Sequence, residues 1–374
     1  MTELKVDTIV NLAGTGNPNF ENGITINSAA ISTLNLNEYT ESSSEPSSPS
    51  NGALWWDTAN EKTFIYAEGE WKETIEIAAS SFSWGGARGV FMGREMQNTI
   101  DYVDIQNSGN ATDFGDITSS RYQAMGFGDA TKGLTAGGRN SSYAGINNIE
   151  QVTIATTANS TDFGDLTQTQ RAGGGWSNGT RGGVCGGQGG TAHNVIAYVT
   201  IASAGNATDH GDLTYYPLET SAANDATHAC VAGGFDLSEY SSKNNIDYFT
   251  MATTGNASDF GDLLEARTNV GSADDGTYGL FNGGSTSSVN YSNVIQYITI
   301  ASTGNATDFG DLSLGRVGAY GCGDGTYAIF GGGYTGSQSN VIDRVTVAST
   351  GNATDHGDLT VSGQHAAAVS GNAS

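Results

Sequence analysis

The residues most suggestive of chemistry are an Asp-Phe-Gly triplet, which twice reads Asp-His-Gly, and the aspartates beside it. Protein kinases use this triplet to hold magnesium, but the chain lacks a kinase catalytic-loop motif and a glycine-rich nucleotide loop. Aspartates such as Asp308 and Asp311 offer the oxygen ligands that calcium prefers, at a spacing unlike that of an EF-hand loop. Asp and Gly also form turns through side-chain to backbone hydrogen bonds. We therefore expect turns here and predict no cofactor or metal site, with calcium as the alternative.

The cysteines and histidines do not combine into a catalytic or metal-binding set. Cys185, Cys230 and Cys322 contain no CxxC pair and are odd in number, which argues against a disulfide framework or a zinc site. Two histidines, His210 and His356, simply replace the Phe of the triplet. No constellation for hydrolysis stands out, so we expect no enzymatic activity. Dispersed carboxylate pairs leave a glycan-cleaving enzyme as an alternative.

Composition and charge exclude several classes of partner. With 14 Lys and Arg against 39 Asp and Glu, the formal charge of -25 would repel phosphate backbones, so we expect no nucleic-acid binding. We find no apolar run near the roughly 18 residues that a membrane span needs and no signal-peptide layout. We therefore expect a soluble protein, made in a host cytoplasm, without membrane insertion.

A repeated string sets the architecture. It reads GNATDFGDL with small variations, occurs six times, and places its first aspartates 47 to 50 residues apart. A fixed period of this length is typical of a stacked or circular array. These aspartates are Asp113, Asp162, Asp209, Asp259, Asp308 and Asp355.

Each copy contains four short strand-like pieces, and four strands per repeat are typical of a propeller blade. The second piece ends in a glycine pair in five copies, which allows positive φ or a close backbone approach. The first copy begins near Arg88 without its own first strand, while the C-terminal QHAAAVSGNAS aligns with the start of the second copy. The C-terminus is thus predicted to complete the first blade and remove an exposed edge. The predicted fold is all-β, a six-bladed β-propeller over 81–374.

Three smaller regions precede the repeats. Residues 1–40 alternate polar and apolar residues and predict strands that need a partner, and 41–52 form a Ser/Pro-rich linker by composition. Residues 53–80 predict two strands and a turn, a hairpin too small to be stable alone. Its apolar content is Trp55, Trp56, Phe64, Tyr66 and Trp71.

These motifs resemble those of tail-fibre and other virion structural proteins of marine tailed phages, especially cyanophages. TELKVDTIVNLAGTGNPNF looks like their N-terminal attachment segment, NGALWWDTANEKTFIYAEGEWKE resembles a small fibre module, and the repeat resembles their kelch-like propellers. The resemblance implies virion localisation, attachment of the N-terminus to other virion proteins, and outward display of the propeller. It also implies a homo-oligomer, with a trimer favoured.

The variable residues of the repeats predict where binding occurs. In a blade whose strands alternate in direction, the loops between second and third strands share one face with the connections to the next blade, and both sets vary here. A rigid scaffold presents binding loops in this way. Tyrosine among Ser, Gly and Asn suits an adaptable contact surface, although such aromatics also pack on their own blade. The candidate receptor-binding residues are Arg139, Tyr143, Tyr215, Tyr216, Phe235, Tyr240, Tyr291 and Tyr334.

The leading hypothesis is a non-enzymatic tail fibre or appendage that docks on the virion through its N-terminus and contacts a host receptor or glycan. The alternative is a tail or capsid decoration protein that braces its neighbours without binding a receptor.

Arginine recurs just before the first strand of four repeats, where we expect it to make structural hydrogen bonds. These residues are Arg121, Arg171, Arg267 and Arg316.

Overall fold

The computed structural model divides the chain into two compact units, 1–81 and 82–374. All regular structure among the described residues is β-strand, with no helix. The described residues are 24–26, 29–31, 39–49, 53–57, 62–67, 70–73, 86–190 and 193–373.

The first unit contains a two-stranded sheet and a four-stranded sheet. Strands β1 (Ile24–Ile26) and β2 (Ala29–Ile31) pair antiparallel. The second sheet has the order β3-β4-β5-β6, and β3 is parallel to β4 while the other pairs are antiparallel. Its strands are β3 (Tyr39–Ser42), β4 (Leu54–Asp57), β5 (Lys62–Ala67) and β6 (Glu70–Glu73).

This sheet differs from the predicted hairpin in having three antiparallel strands and one added parallel strand. The first residues of the predicted linker 41–52, Glu41 and Ser42, belong to that added strand. Trp55 stacks on Phe64 with ring centroids 4.8 Å apart, and its indole Nε1 donates a 3.1 Å hydrogen bond to the carbonyl of Ser42. Most of the predicted attachment segment 1–40 lies outside the described residues.

The second unit contains six four-stranded antiparallel sheets, here called sheets I to VI, and each strand is named first to fourth by its order in the sheet. Sheet I is β35 (Ala367–Gly371), β7 (Arg88–Arg94), β8 (Gln97–Asp104) and β9 (Thr112–Arg121). Sheet II is β10 (Met125–Gly128), β11 (Lys132–Ala136), β12 (Asn148–Thr153) and β13 (Thr161–Asp165). Sheet III is β14 (Gly174–Ser177), β15 (Arg181–Cys185), β16 (Val195–Thr200) and β17 (Thr208–Asp212).

The remaining three sheets follow the same order. Sheet IV is β19 (Ser221–Asn224), β20 (His228–Ala232), β23 (Asn245–Thr250) and β24 (Ser258–Asp262). Sheet V is β26 (Gly271–Asp274), β27 (Tyr278–Asn282), β29 (Val294–Thr299) and β30 (Thr307–Asp311). Sheet VI is β31 (Tyr320–Gly323), β32 (Tyr327–Gly331), β33 (Val341–Thr346) and β34 (Thr354–Asp358). Two smaller sheets are also present. One has three strands, β18 (Pro217–Leu218), β21 (Phe235–Asp236) and β22 (Ser241–Ser242), and the other has two, β25 (Arg267–Thr268) and β28 (Ser285–Thr286).

The C-terminal strand completes the first sheet, as the sequence predicted. In β35, Val369 lies opposite Val90 of β7 in an antiparallel register. Each first strand also contacts the first strands of the neighbouring sheets, and β31 contacts β35, so these contacts form a cycle. Glycine permits this crowding: a Cβ on Gly271 would lie 1.8 Å from the carbonyl oxygen of Ala319, the residue just before the first strand of the next sheet.

Burial decreases from the second strand of each sheet to the fourth. The second strands of sheets II to VI bury four of their five residues, whereas the fourth strands bury one central residue, the Phe or His of the triplet. The glycine pairs that follow the second strands all adopt positive φ, as predicted. These pairs are Gly137 and Gly138, Gly186 and Gly187, Gly233 and Gly234, Gly283 and Gly284, and Gly332 and Gly333.

The repeated string joins neighbouring sheets through hydrogen bonds of its asparagine side chain and of its backbone, an arrangement here called the clasp. In sheet III, the backbone amide of Asp212 donates a 3.1 Å hydrogen bond to Oδ1 of Asn256, and Gly255 N–H donates a 2.8 Å bond to the carbonyl of His210. The asparagine of each repeated string therefore has a structural role. The side-chain bond occurs at all six junctions, from Asp116 to Asn159, Asp165 to Asn206, Asp212 to Asn256, Asp262 to Asn305, Asp311 to Asn352 and Asp358 to Asn110.

The four recurrent arginines all make internal hydrogen bonds, as predicted, and three of them are fully buried. Arg121 is fully buried and pairs with Glu150, and Arg316 is fully buried 3.0 Å from Asp343. Arg267 donates a 2.8 Å bond to the carbonyl of Gly283. Arg171 differs, because Gln170 binds the corresponding glycine carbonyl in sheet III and Arg171 lies one position further along.

Candidate functional site

The two sets of variable connections lie together, as the alternation of strand direction predicts. They are the loops between second and third strands and the connections from each fourth strand to the next first strand, and together we call them the variable face. Backbone pairing joins the two sets at five sheets. The joined residues are Tyr122 with Arg139, Arg171 with Gln188, Leu218 with Phe235, Thr268 with Ser285, and Val317 with Tyr334.

Exposed large apolar side chains occur only on the variable face among the described residues. Four belong to loops between second and third strands and three belong to connections between sheets. None lies on the opposite side, which carries the repeated turns and which we call the repeated face. These residues are Tyr143, Tyr216, Tyr240, Leu264, Val289, Tyr291 and Leu314.

The structure places most of the predicted receptor-binding residues at the surface of this face. Tyr143 and Tyr240 are 69% and 80% exposed. Tyr216 and Tyr291 are also exposed, and Tyr291 contacts the half-buried Tyr334 edge to face at 5.9 Å. Arg139 and Phe235 are half-buried.

Tyr215 is not exposed, contrary to its prediction as a receptor-binding residue. It is buried, with 7% of its surface accessible, and its hydroxyl donates a 2.7 Å hydrogen bond to the carbonyl of Gly233. The guanidinium of Arg267 makes the equivalent bond to Gly283 in the next sheet. Tyr215 therefore has the structural role that arginine has elsewhere.

Six residues, each two positions before the start of a first strand, form a second feature, here called the collar. Each has a left-handed backbone with φ between 55° and 64°, and only one of the six is glycine. Five N–H to carbonyl hydrogen bonds of 2.7 to 3.1 Å join the six members in succession. The collar residues are Gln123, Ala172, Glu219, Asn269, Gly318 and His365.

Polar side chains of the collar contact one another across sheets. Asn269 Nδ2 donates a 2.6 Å hydrogen bond to Glu219 Oε2, and Asn269 Oδ1 lies 2.6 Å from Nε2 of His365. Because the amide nitrogen faces the carboxylate, the amide oxygen must accept, so Nε2 of His365 carries the proton. Burial lowers the pKa of His365 to about 3, with a further contribution from Arg139. The imidazole is therefore neutral at ordinary pH.

Two arginines lie beside this chain of hydrogen bonds. Arg171 donates hydrogen bonds of 2.6 Å to Oε1 of Gln123 and 2.5 Å to Oε1 of Gln188. Arg139 lies over the rings of Tyr122 and Tyr143, 4.6 and 4.9 Å from their centroids. Arg139 was predictable as a loop residue, whereas the collar was not, because its members share no residue type.

Burial changes the pKa values of ionisable groups in and beside the collar. Burial is the main cause that raises the pKa of Glu219, and Arg171 and the hydrogen bond from Asn269 oppose it. Burial and the negative charge of Glu95 raise the pKa of Tyr122 to about 12. Such perturbed groups collected in one place are typical of functional sites.

No group of three or more His, Cys, Asp or Glu side chains able to hold a metal ion occurs in the part of the chain that the structure describes. The same residues contain no helix long and apolar enough to cross a membrane. The three cysteines are buried and unpaired, and burial raises their thiol pKa values. Comparison with known proteins finds no matching family model and no matching curated protein.

Proposed function

We propose that this chain is a non-enzymatic structural protein of a tailed-phage particle, a tail fibre or similar appendage, whose closed six-bladed propeller recognises the host surface. Six four-stranded sheets, a first sheet completed by the C-terminus, and the cycle of first-strand contacts support the propeller. The six clasps support closure, because the same asparagine side-chain bond recurs at every junction, including that between sheets VI and I.

The observation that carries the binding role is the difference between the two faces. A soluble protein scatters exposed apolar side chains, and their concentration on one side marks an interaction surface. Here all seven lie on the variable face. Tyrosines dominate, and a tyrosine ring packs on a sugar ring while its hydroxyl still makes hydrogen bonds. A host glycan is accordingly the proposed receptor, with the N-terminal segment bound to other virion proteins in a trimeric appendage.

Binding of the fluorescently labelled full chain to a panel of marine cyanobacterial cells tests this function. We expect saturable binding that falls by at least about tenfold when exposed tyrosines are removed together in Tyr143→Ser/Tyr240→Ser. The control is Thr254→Ala/Thr303→Ala, which changes two exposed residues on the repeated face and should leave binding intact. Tight binding to a virion protein through the variable face, without binding to any cell, would instead support the bracing function.

A further inference from the structure

Two arginines on the variable face lack the ion pairs that buried arginines of this protein make. Arg94, Arg121 and Arg316 each pair with a buried carboxylate. Among the described residues, Arg139 and Arg171 have no carboxylate oxygen within 4.0 Å: Arg171 is held by two glutamine oxygens, and Arg139 lies between two tyrosine rings. The carboxylate of Glu219 attracts both guanidinium groups from a greater distance. In a chain of net charge -25, two such guanidinium groups on one face mark a place for an anion.

The two guanidinium groups lie near each other, because Arg139 stacks on the ring of Tyr122 and Arg171 donates a hydrogen bond to the next residue, Gln123. Burial is the first cause that lowers the pKa of Arg171, and the positive charge of Arg139 is the second. The Nε–H of Arg139 is buried without a hydrogen-bond partner, which leaves a donor unsatisfied. An oxyanion bound to both groups would relieve their repulsion and accept that donor, and the planar guanidinium suits carboxylate and phosphate.

The collar supplies the complementary hydrogen-bond acceptor. His365 is 97% buried, since 3% of its surface is accessible, and its Nδ1 has no hydrogen-bond partner. Because Nε2 is protonated toward Asn269, Nδ1 is a bare acceptor that requires a donor such as a hydroxyl group.

The strained backbone of the collar is a second reason to assign a binding role to its side chains. A left-handed conformation costs a non-glycine residue about 1 kcal/mol or more, and glycine avoids this cost. Gly318 shows that glycine is accepted in the collar, yet Gln123, Glu219, Asn269 and His365 retain side chains there. Strained positions with polar side chains concentrate at binding sites.

From these contacts we propose that the collar and its two arginines bind a hydroxyl-bearing organic anion, a sugar that carries a carboxylate or phosphate group. Arg139 and Arg171 hold the anionic group, and Nδ1 of His365 accepts a hydroxyl hydrogen. The surface glycan as the source of this sugar rests on the proposed function, whereas the site rests on its own contacts.

Ligand-observed NMR titration of the full chain with D-glucuronate, D-glucose 6-phosphate and neutral D-glucose tests the proposal. We expect at least one anionic sugar to bind at least about tenfold more tightly than glucose, because charge-assisted bonds to two arginines are absent for glucose. Whichever anionic sugar binds more tightly identifies carboxylate or phosphate as the group recognised. Equal affinity for glucose, or no binding of either anion up to about 50 mM, would overturn the proposal.

Variants locate the site. Arg139→Gln and Arg171→Gln should each weaken binding by about tenfold, and Arg139→Lys should weaken it less because the charge remains. The control is Arg181→Gln, which removes a guanidinium 4.5 Å over the ring of Tyr198 on another part of the molecule. Thermal melting of each variant distinguishes loss of the ligand from loss of the fold, and the Arg Nε–H signals report contact directly. Unchanged affinity in folded Arg139→Gln and Arg171→Gln would contradict the assignment.

The outcome separates this proposal from the proposed function. Cell binding without sugar binding would remove the site and leave the appendage function standing. Sugar binding without cell binding would confirm the site and remove the support for host-surface recognition.

Discussion

Oδ1 of Asn110 accepts a 3.1 Å hydrogen bond from the backbone amide of Asp358, which lies 248 residues further along the chain. The same bond joins every other pair of neighbouring sheets, where the chain itself already connects them. At this junction the bond instead joins the two ends of the repeat array. Together with β35 in sheet I, it explains how sheet VI is held against sheet I.

The glycine of the triplet is required by this clasp. Gly211 has φ of 154°, and a Cβ added there would lie 2.2 Å from the carbonyl oxygen of Gly255. Gly211→Ala should destabilise the protein by about 2 kcal/mol or more, because alanine is strained at this φ and its Cβ would displace the neighbouring sheet. Gly255→Ala is the matched control, because nothing lies within 4 Å of its added Cβ and the second copy already has Ala158 there. Equal urea midpoints for the two variants would contradict this account.

Removal of residues 360–374 deletes β35 and uncovers the edge of β7, which includes Val90 and Met92. The loss of a whole strand from a buried sheet should lower the melting temperature by at least about 10 °C and promote association. Differential scanning fluorimetry and size-exclusion chromatography measure both effects. Removal of 373–374 is the control, and a monodisperse long truncation with native melting would refute the role of β35.

Stability should decrease as the pH falls below about 6.5, the ordinary histidine pKa. Burial holds the pKa of His365 at about 3, so the unfolded chain takes up a proton that the folded chain does not. The stabilisation present above the unfolded pKa is therefore lost progressively between these values, at up to about 1.4 kcal/mol per pH unit. His365→Gln should flatten the curve of unfolding free energy against pH. Because burial also lowers the pKa of His210 and His356, some slope should remain. Superimposable slopes for wild type and variant would exclude this role.

The two histidines that replace the triplet Phe should be suboptimal for stability. His210 and His356 are buried, and their ring nitrogens make no hydrogen bond of normal geometry, although the backbone of Thr250 and that of Asp104 lie near enough to oppose the lowering of their pKa values by burial. Phe fills the same position in the other four copies, so His210→Phe and His356→Phe should each stabilise the protein by about 1 kcal/mol. Chemical denaturation measures the change, and destabilisation by both variants would show that the imidazoles have partners in solution.

Much of the architecture was predictable because the repeated string marks each structural unit in the sequence. The spacing of the aspartates predicted six units, the glycine pairs predicted positive φ, and the C-terminal alignment predicted β35. Each of these signals is local or periodic. The parallel pairing of β3 with β4 was not predictable, since no turn or period marks it.

The binding face was only partly predictable, for a related reason. Its loops vary, so residues at equivalent positions cannot be aligned by type. Pro217 occupies the place that Arg121 has in sheet II, and Tyr215, two residues earlier, supplies the missing hydrogen bond from inside the protein. Arg171 and Gln170 exchange roles through a shift of one residue. Only the three-dimensional contacts reveal such substitutions.

Hydrogen exchange of the full chain and of Asn110→Ala, read by mass spectrometry, tests closure of the array most directly. Loss of one clasp should increase exchange together in 86–121 and 354–373, the two ends of the repeat region, while sheets III and IV stay protected. Asn256→Ala, in an internal clasp, should instead affect only its own junction. Increased exchange confined to the residues beside position 110, with unchanged protection at the C-terminal end, would contradict a closed ring.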